Sequence, residues 1–282
     1  MAGEPAMTDR RTTRLDEVLA AARAEDRAVL VGYLPAGYPS VDGAAEALTA
    51  MVRGGVDVVE IGLPYSDPLM DGPTIQAAVE VALQRGTTTD DVLTTVRAVA
   101  ATGAPALVMT YWNPIERYGA RRFADAMVEA GGSAVITPDL IPDEAGLDPS
   151  DWLGATDATG LGRVFLVAPS STDERIRMTA EQCRGFVYAA SLMGVTGARA
   201  SVGDAAASLV SRVRAVSDTP VCVGLGVSTG DQAAEVAAFA DGVIVGSAFV
   251  RAMLDAAEPA EGVKAVEALA AELADGVRRG RG

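Results

Sequence analysis

Histidine is absent from this 282-residue chain, and lysine occurs once, as Lys264. Without histidine there can be no Ser-His-Asp triad, no histidine general base and no histidine metal ligand, so we expect no metal site. Lys264 lies in a repetitive Ala/Glu helix, which argues against Schiff-base chemistry. Cys183 and Cys222 are far apart and form no C-x-x-C motif or disulfide framework. Catalysis must therefore come from carboxylates, hydroxyls, backbone amides or a borrowed cofactor.

The chain is strongly acidic, with a net charge of −15 and a pI near 4.4. This charge argues against nucleic acid or anionic membranes as partners. No apolar run reaches the roughly 18 residues of a membrane span, and the first dozen residues have no apolar signal-peptide core. We therefore expect a cytoplasmic protein with a flexible tail over residues 1–14 and a single domain over residues 15–282.

Short apolar runs rich in valine and isoleucine recur along the chain, with helical patterns between them. They are nearly continuous rather than alternating, which is typical of parallel strands buried on both faces. The runs are Ala28–Pro35, Val56–Pro64, Ala104–Tyr111, Ser133–Leu140, Arg163–Ser170, Gly185–Ser191, Pro220–Val227 and Asp241–Ser247. Eight such units in a chain of this length predict a (β/α)8 TIM barrel with extra helices. An open doubly wound α/β sheet is the alternative.

The second expected strand and its loop carry the richest chemistry, because function in such a barrel collects at the carboxyl ends of the strands. Glu60 interrupts a strongly apolar strand, and no basic residue lies between Arg53 and Arg85. A buried, unpaired glutamate has a raised pKa and suits acid/base catalysis. The alternative is a structural glutamate paired with an arginine from another strand. Asp71, in the following loop, is either its partner in proton transfer or an exposed or helix-capping carboxylate.

Glycine and small hydroxyl residues dominate the loops after the last three expected strands, at residues 193–197, 224–228 and 245–247. Glycine lets the backbone approach an anion, and a helix N-terminus offers it free N–H groups. Ordinary βα turns also use these residues, but three such loops at adjacent strand ends favour a phosphate site.

Aromatic side chains also lie near the expected strand ends, namely Tyr33, Tyr111, Trp112 and Tyr188. Their placement favours a flat apolar ligand, with ordinary packing under loops as the alternative. Taken by themselves, the residues indicate a metal-free, lysine-independent barrel enzyme that uses carboxylates on a small phosphorylated compound.

The segment EIGLPYSDPLMDGPTIQ, residues 60–76, closely resembles the signature of the tryptophan synthase α chain family. Residues 194–197 and 224–228 also match that family in the expected order, and the resemblance covers roughly residues 15–275. It implies reversible cleavage of indole-3-glycerol phosphate to indole and D-glyceraldehyde 3-phosphate, in the last stage of L-tryptophan biosynthesis. It implies no cofactor of the chain's own.

The resemblance further implies a partner, a pyridoxal-phosphate-dependent β chain that receives indole through a tunnel in an α–β heterotetramer. The loop after the second strand and residues 111–114 would face it. Among single residues, Glu60 would be the acid/base and Asp71 would engage the indole N–H. The substrate positions implied around the indole and glycerol are Tyr33, Tyr188, Thr196 and Leu225, and those around the phosphate are Gly197, Gly226, Gly246 and Ser247.

Three other functions remain open from the sequence. The first is a free-standing indole-3-glycerol-phosphate lyase without a β partner. The second is a non-catalytic subunit that binds a phosphate ligand and activates a partner, although such a subunit would not need a buried, unpaired glutamate. The third is another phosphate-binding barrel, such as a sugar-phosphate epimerase, which usually calls on histidine and a metal.

Overall fold

Parallel strands form at every apolar run predicted from the sequence, each within the run or beginning one residue before it. The computed structural model describes residues 12–142, 151–190 and 199–281, and for residues 199–202 it describes the backbone alone. In these residues the strands are β1 Val29–Pro35, β2 Val58–Gly62, β3 Ala106–Met109, β4 Gly132–Ile136, β5 Gly162–Val164, β6 Leu166–Val167, β7 Val187–Ala190, β8 Val221–Gly224 and β9 Gly242–Val245.

The fifth expected strand, Arg163–Ser170, is divided into β5 and β6, and this division closes the barrel. The strands follow the order β5-β4-β3-β2-β1-β9-β8-β7-β6. Val164 pairs with Ile136 of β4, whereas Leu166 pairs with Tyr188 of β7. Strands β5 and β6, which stand at the two ends of this order, are therefore consecutive parts of one segment. Before Phe165 the segment pairs with β4, and after Phe165 it pairs with β7. The open doubly wound sheet is excluded.

Helices follow the strands and surround the barrel, as a (β/α)8 fold with extra helices requires. Those in the described residues are α1 Arg14–Ala24, α2 Val41–Gly54, α3 Pro73–Gln84, α4 Thr89–Ala100, α5 Trp112–Tyr118, α6 Ala120–Glu129, α7 Trp152–Thr159, α8 Asp173–Gln182, α9 Arg199–Arg214, α10 Gly230–Ala237, α11 Ser247–Leu254 and α12 Pro259–Arg279. Within the same residues, no helix combines the length and apolar character that a membrane crossing requires.

Helix α1 closes the amino-terminal end of the barrel. It begins at Arg14, and Thr13 forms a capping box with Asp16. Its buried residues Leu15 and Leu19 pack into the same cluster as the inward-facing strand residues. Of the expected tail over residues 1–14, residues 1–11 lie outside the described residues.

Alternation along the strands determines which side chains reach the barrel interior. Val31 and Val58 fill the interior with apolar atoms. Side chains two residues further along a strand point the same way, which brings Tyr33 and Glu60 to the carboxyl end of the interior. These two residues are also direct register partners across β1 and β2. The apolar packing around Val31 and Val58 thus fixes the direction of the Tyr33 and Glu60 side chains at the carboxyl end of the interior.

Candidate active site

A cavity of about 460 Å³ opens at the carboxyl ends of the barrel strands. It is lined by Tyr33, Glu60, Met70, Asp71, Gly72, Pro73, Thr74, Ile75, Met109, Ile136, Pro138, Leu166, Tyr188, Ala190, Gly224, Leu225, Gly226, Ile244, Gly246 and Ser247. Eight of the ten site residues expected from the sequence are in this lining. The other two, Thr196 and Gly197, lie outside the described residues. The volume is that of an ordinary small-molecule site.

Glu60 is buried in the lining without a basic partner. The residue is 3% exposed, and its Oε2 atom has no hydrogen-bond partner among the described residues. Burial, reinforced by the nearby charge of Asp71, raises the pKa of Glu60 from 4.5 to about 8. A structural ion pair with arginine, the alternative considered for this residue, is not present among the described side chains. A carboxyl group with this pKa holds its proton at neutral pH and can release it.

Asp71 belongs to the loop between β2 and α3 and reaches the same cavity. It is neither fully exposed nor the cap of α3, since Gly72 holds the N-cap position without a side-chain bond. Burial raises the pKa of Asp71, and a hydrogen bond with the Tyr111 side chain opposes that shift. Because a hydrogen bond to the charged form favours ionisation, Tyr111 helps Asp71 to remain a carboxylate beside a protonated Glu60.

Tyr111 fixes the loop that carries Asp71. Its hydroxyl oxygen accepts hydrogen bonds from the backbone N–H groups of Leu69, at 3.1 Å, and Met70, at 3.0 Å. Its ring lies 5.3 Å from the ring of Tyr65 in the same loop. The Asp139 carboxylate accepts the N–H of Trp112, at 2.9 Å, and so anchors the start of α5 next to Tyr111. The sequence located Tyr111 near a strand end but gave no sign of these bonds.

Two glycines make room for the inward-facing tyrosines. A Cβ atom at Gly224 would lie 2.6 Å from the hydroxyl oxygen of Tyr188, and one at Gly62 would overlap the hydroxyl of Tyr33. Burial raises the pKa of both tyrosines well above the ordinary value, so both hydroxyls stay protonated. The two rings thus form fixed, largely apolar walls with a hydrogen-bond donor at the tip.

The helices that follow the last two glycine-rich loops, α10 and α11, differ at their N-termini. N–H groups at the start of α10 already have acceptors in the protein, since Thr229 accepts the N–H of Gln232 and the Gly230 N–H donates to Glu272 of α12, at 3.0 Å. Helix α11 has Gly246 at its N-cap, with no side-chain hydrogen bond and no acidic residue in its first turn. An open helix N-terminus binds an anion through its N–H groups. The α11 end of the cavity therefore fits a phosphate better than the α10 end.

Apolar side chains complete the cavity, and sequence reasoning did not identify them as site residues. They include Met109, Ile136, Leu166 and Ile244, each on an inward-facing strand position. Side chains two residues apart on a strand point the same way, so counting in steps of two along each expected strand could have identified them. In the described ranges, no three acidic or cysteine side chains come together as metal ligands would.

The strands form a (β/α)8 barrel, and the cavity places a buried acid at the carboxyl ends of those strands. This is where enzymes with this fold have their active sites, so the chain has the architecture of a (β/α)8 barrel enzyme. Residues 19–278 match the family model of the tryptophan synthase alpha chain. The chain belongs to the tryptophan synthase α chain family.

Relatives and solved structures resemble the chain over nearly its whole length. It is 60% identical to the tryptophan synthase alpha chain of Salinispora tropica over 257 residues, which cover 91% of this chain and 95% of the relative. It is 60% identical to that of Mycobacteroides abscessus, covering 94% and 98%. A chain in a crystal structure of tryptophan synthase from M. tuberculosis superposes with a TM-score of 0.85 at 52% identity, covering 95% and 100%. The similarity extends to the whole barrel.

Proposed function

We propose that Glu60 and Asp71 cleave indole-3-glycerol phosphate reversibly to indole and D-glyceraldehyde 3-phosphate. Membership of the tryptophan synthase α chain family makes the chain a carbon–carbon lyase of this type. The observation that carries the residue assignment is the unpaired Glu60 carboxyl, with a pKa of about 8, facing a cavity that also contains Asp71.

The electrons of the breaking carbon–carbon bond need an acceptor, and the indole ring supplies it. Protonation of indole C3 by Glu60 creates an indoleninium cation. The bond between C3 and the first glycerol carbon then breaks, and its electron pair restores the neutral indole. The hydroxyl on that glycerol carbon loses its proton to the Glu60 carboxylate and becomes the aldehyde. Glu60 is thereby returned to its starting state, which is acid/base catalysis by one group.

Asp71 stabilises the cation formed in that step. Positive charge develops on the ring nitrogen when C3 is protonated, and a fixed carboxylate beside it lowers the energy of the transition state. The hydrogen bond from Tyr111 supports an ionised Asp71 in its half-buried position. The two carboxyl groups therefore act in opposite protonation states, one as the acid and one as the anion.

The phosphate binds at the α11 end of the cavity. Gly246 and Ser247 provide the open helix N-terminus, and Gly226 lies in the adjacent turn with a φ of 69°, a backbone that favours glycine. Leu225, Tyr33 and Tyr188 contact the apolar part of the substrate. Thr196 and Gly197 join this set through the family resemblance alone.

A β chain docks on the cavity side of the barrel and takes up the indole. Leu69 is 78% exposed and Met70 43% exposed, and both precede Asp71 in the β2–α3 loop. Large exposed apolar side chains beside a cavity favour a protein partner. The α chain needs no cofactor of its own for the steps above, and pyridoxal phosphate belongs to the β chain.

Indole release from indole-3-glycerol phosphate by the purified chain tests the proposal, alone and with a tryptophan synthase β chain. We expect slow release that rises sharply with the β chain. Glu60→Gln should lower turnover at least about 10²-fold without loss of the fold, whereas the control Glu129→Gln, at an exposed position of α6, should not.

Three outcomes would revise the proposal. Near-wild-type turnover in Glu60→Gln would remove Glu60 from the mechanism. Fast release that ignores the β chain would indicate a free-standing lyase. A folded wild-type chain that releases no indole in either condition would contradict the lyase activity itself.

A further inference from the structure

Arg251 is joined to the cavity by a hydrogen bond across two helices. Its Nη2 donates to Oγ1 of Thr74 at 2.7 Å, between residues 177 positions apart in sequence. Thr74 lies in the first turn of α3 and in the cavity lining, three residues after Asp71. Arg251 lies on α11, one helical turn beyond Ser247. The contact therefore joins the phosphate end of the cavity to the helix that follows Asp71.

This hydrogen bond leaves the Thr74 hydroxyl free to donate its own hydrogen to another group. A guanidinium group has donors and no acceptor, so the threonine oxygen must be the acceptor and its own hydrogen points elsewhere. Among the described residues, the Thr74 hydroxyl donates no hydrogen bond. It is thus a donor, polarised by a neighbouring cation, on a residue that lines the cavity.

The charge balance of the cavity shows why such a donor matters. The described lining contains two carboxyl groups, Glu60 and Asp71, and no arginine or lysine. A phosphate ester brings two further negative charges into a chain whose net charge is −15. Arg251, one turn from Ser247 on the same helix, places a positive charge beside the phosphate end without entering the cavity.

We infer that Arg251 and Thr74 form one recognition unit for the phosphate end of the substrate. The Thr74 hydroxyl donates to an oxygen of an organic phosphate monoester, and Arg251 orients and polarises that hydroxyl. Thr74 is the binding residue and Arg251 is a positioning residue that acts through it. The inference depends on the proposed function, because it assumes that the phosphate end lies at α11.

Binding of sn-glycerol 3-phosphate and of indole to the full chain, measured separately by calorimetry, tests the unit. Thr74→Val removes the hydroxyl at constant shape, and Arg251→Met removes the cation. A hydrogen bond to a charged group corresponds to a factor of about ten or more in affinity. We expect each variant to bind glycerol 3-phosphate about tenfold more weakly, with indole affinity unchanged. Thr74→Ser should retain wild-type affinity.

A double variant shows whether Thr74 and Arg251 act together on glycerol 3-phosphate affinity or contribute to it independently. The double variant Thr74→Val/Arg251→Met should lose little more affinity than either single variant, because the second change removes a partner that is already lost. Arg177→Met, at an exposed arginine on α8, is the matched control for loss of surface charge and should leave glycerol 3-phosphate affinity unchanged.

Several results would overturn the inference. Unchanged glycerol 3-phosphate affinity in Thr74→Val would remove Thr74 from the site, and fully additive losses would separate it from Arg251. An equal loss of indole affinity would reduce the contact to a structural role. The proposed function is judged on the wild-type chain alone: if that chain released no indole, both proposals would fall, whereas insensitive variants of an active chain would remove only the recognition unit.

Discussion

The hydroxyl oxygen of Tyr111 lies 3.0 Å from the backbone nitrogen of Met70, and this hydrogen bond joins the end of β3 to the loop of β2. The same hydroxyl accepts the N–H of Leu69 and bonds the side chain of Asp71. One oxygen atom thus holds three consecutive residues of the loop. Its effect on Asp71 is both geometric and electrostatic.

Removal of this oxygen in Tyr111→Phe should lower turnover about tenfold and raise the pKa of Asp71. The ring can keep its contact with Tyr65, but two backbone N–H groups lose their acceptor, at a cost of about 1–3 kcal/mol for each that stays buried. Steady-state kinetics of indole release measures the loss. Tyr118→Phe, whose hydroxyl lies 3.4 Å from Asp90, is the matched control. Equal turnover in both variants would show that the loop is held by other contacts.

Stability should fall as the pH rises from about 4.5 to about 8, because of Glu60. The folded chain keeps the Glu60 proton up to its pKa of about 8, whereas the unfolded chain loses it near 4.5. In this range the folded state binds more protons, so the free energy of unfolding decreases by up to about 1.4 kcal/mol per pH unit and then levels off. The chain has no histidine, so few other groups titrate there.

Urea unfolding of the wild type and Glu60→Gln at pH 5, 6, 7 and 8 measures this contribution. Glutamine does not ionise, so the stability of the variant relative to wild type should rise steadily with pH. Other groups, including Asp71, are common to both proteins and largely cancel in the difference. A difference that stays constant across the range would mean that Glu60 ionises in the folded chain at an ordinary pH.

Asp71→Asn should abolish most activity but leave glycerol 3-phosphate binding within about twofold of wild type. The variant removes the anion that stabilises the indoleninium cation, and the phosphate end of the cavity is unchanged. It should also lower the pKa of Glu60, because the charge of Asp71 is the second cause of its upward shift. Carbon-13 NMR titration of the Glu60 carboxyl reads the shift directly. Lost glycerol 3-phosphate binding would instead make Asp71 a binding or structural residue.

Much of the fold and the position of the cavity were predictable from the sequence, since both follow from local patterns. Nearly continuous Val/Ile runs predicted the parallel strands, and a glutamate inside one of them predicted a buried acid. The division of the strand at Phe165 was not predictable, because it depends on how the last pair of neighbours closes the barrel. Nor were the bonds of Tyr111 and Arg251, whose partners are distant in sequence.

The glycine loops show the same limit within the candidate site. Residues 224–228 and 245–247 looked equivalent as phosphate loops in the sequence. In the structure, the N-terminus of α10 is satisfied by Thr229 and by Glu272 from α12, whereas that of α11 is open. The role of Gly224 was also hidden, because only the folded barrel brings the Tyr188 hydroxyl against it.

Gly224→Ala should displace Tyr188 and lower kcat/KM at least about tenfold. The added methyl group would lie 2.6 Å from the Tyr188 hydroxyl oxygen, which is closer than real contacts allow. Overpacking of this kind costs about 1–3 kcal/mol. We expect part of this cost as a lower free energy of unfolding and part as a displaced Tyr188 ring.

Tyr188→Phe removes the colliding oxygen and leaves ring contacts of 3.1 Å to the new methyl. The double variant Gly224→Ala/Tyr188→Phe should therefore recover at least half of the stability lost in Gly224→Ala. Chemical unfolding of the four proteins measures this recovery, and a double variant no more stable than Gly224→Ala would show that the glycine serves the backbone rather than the tyrosine.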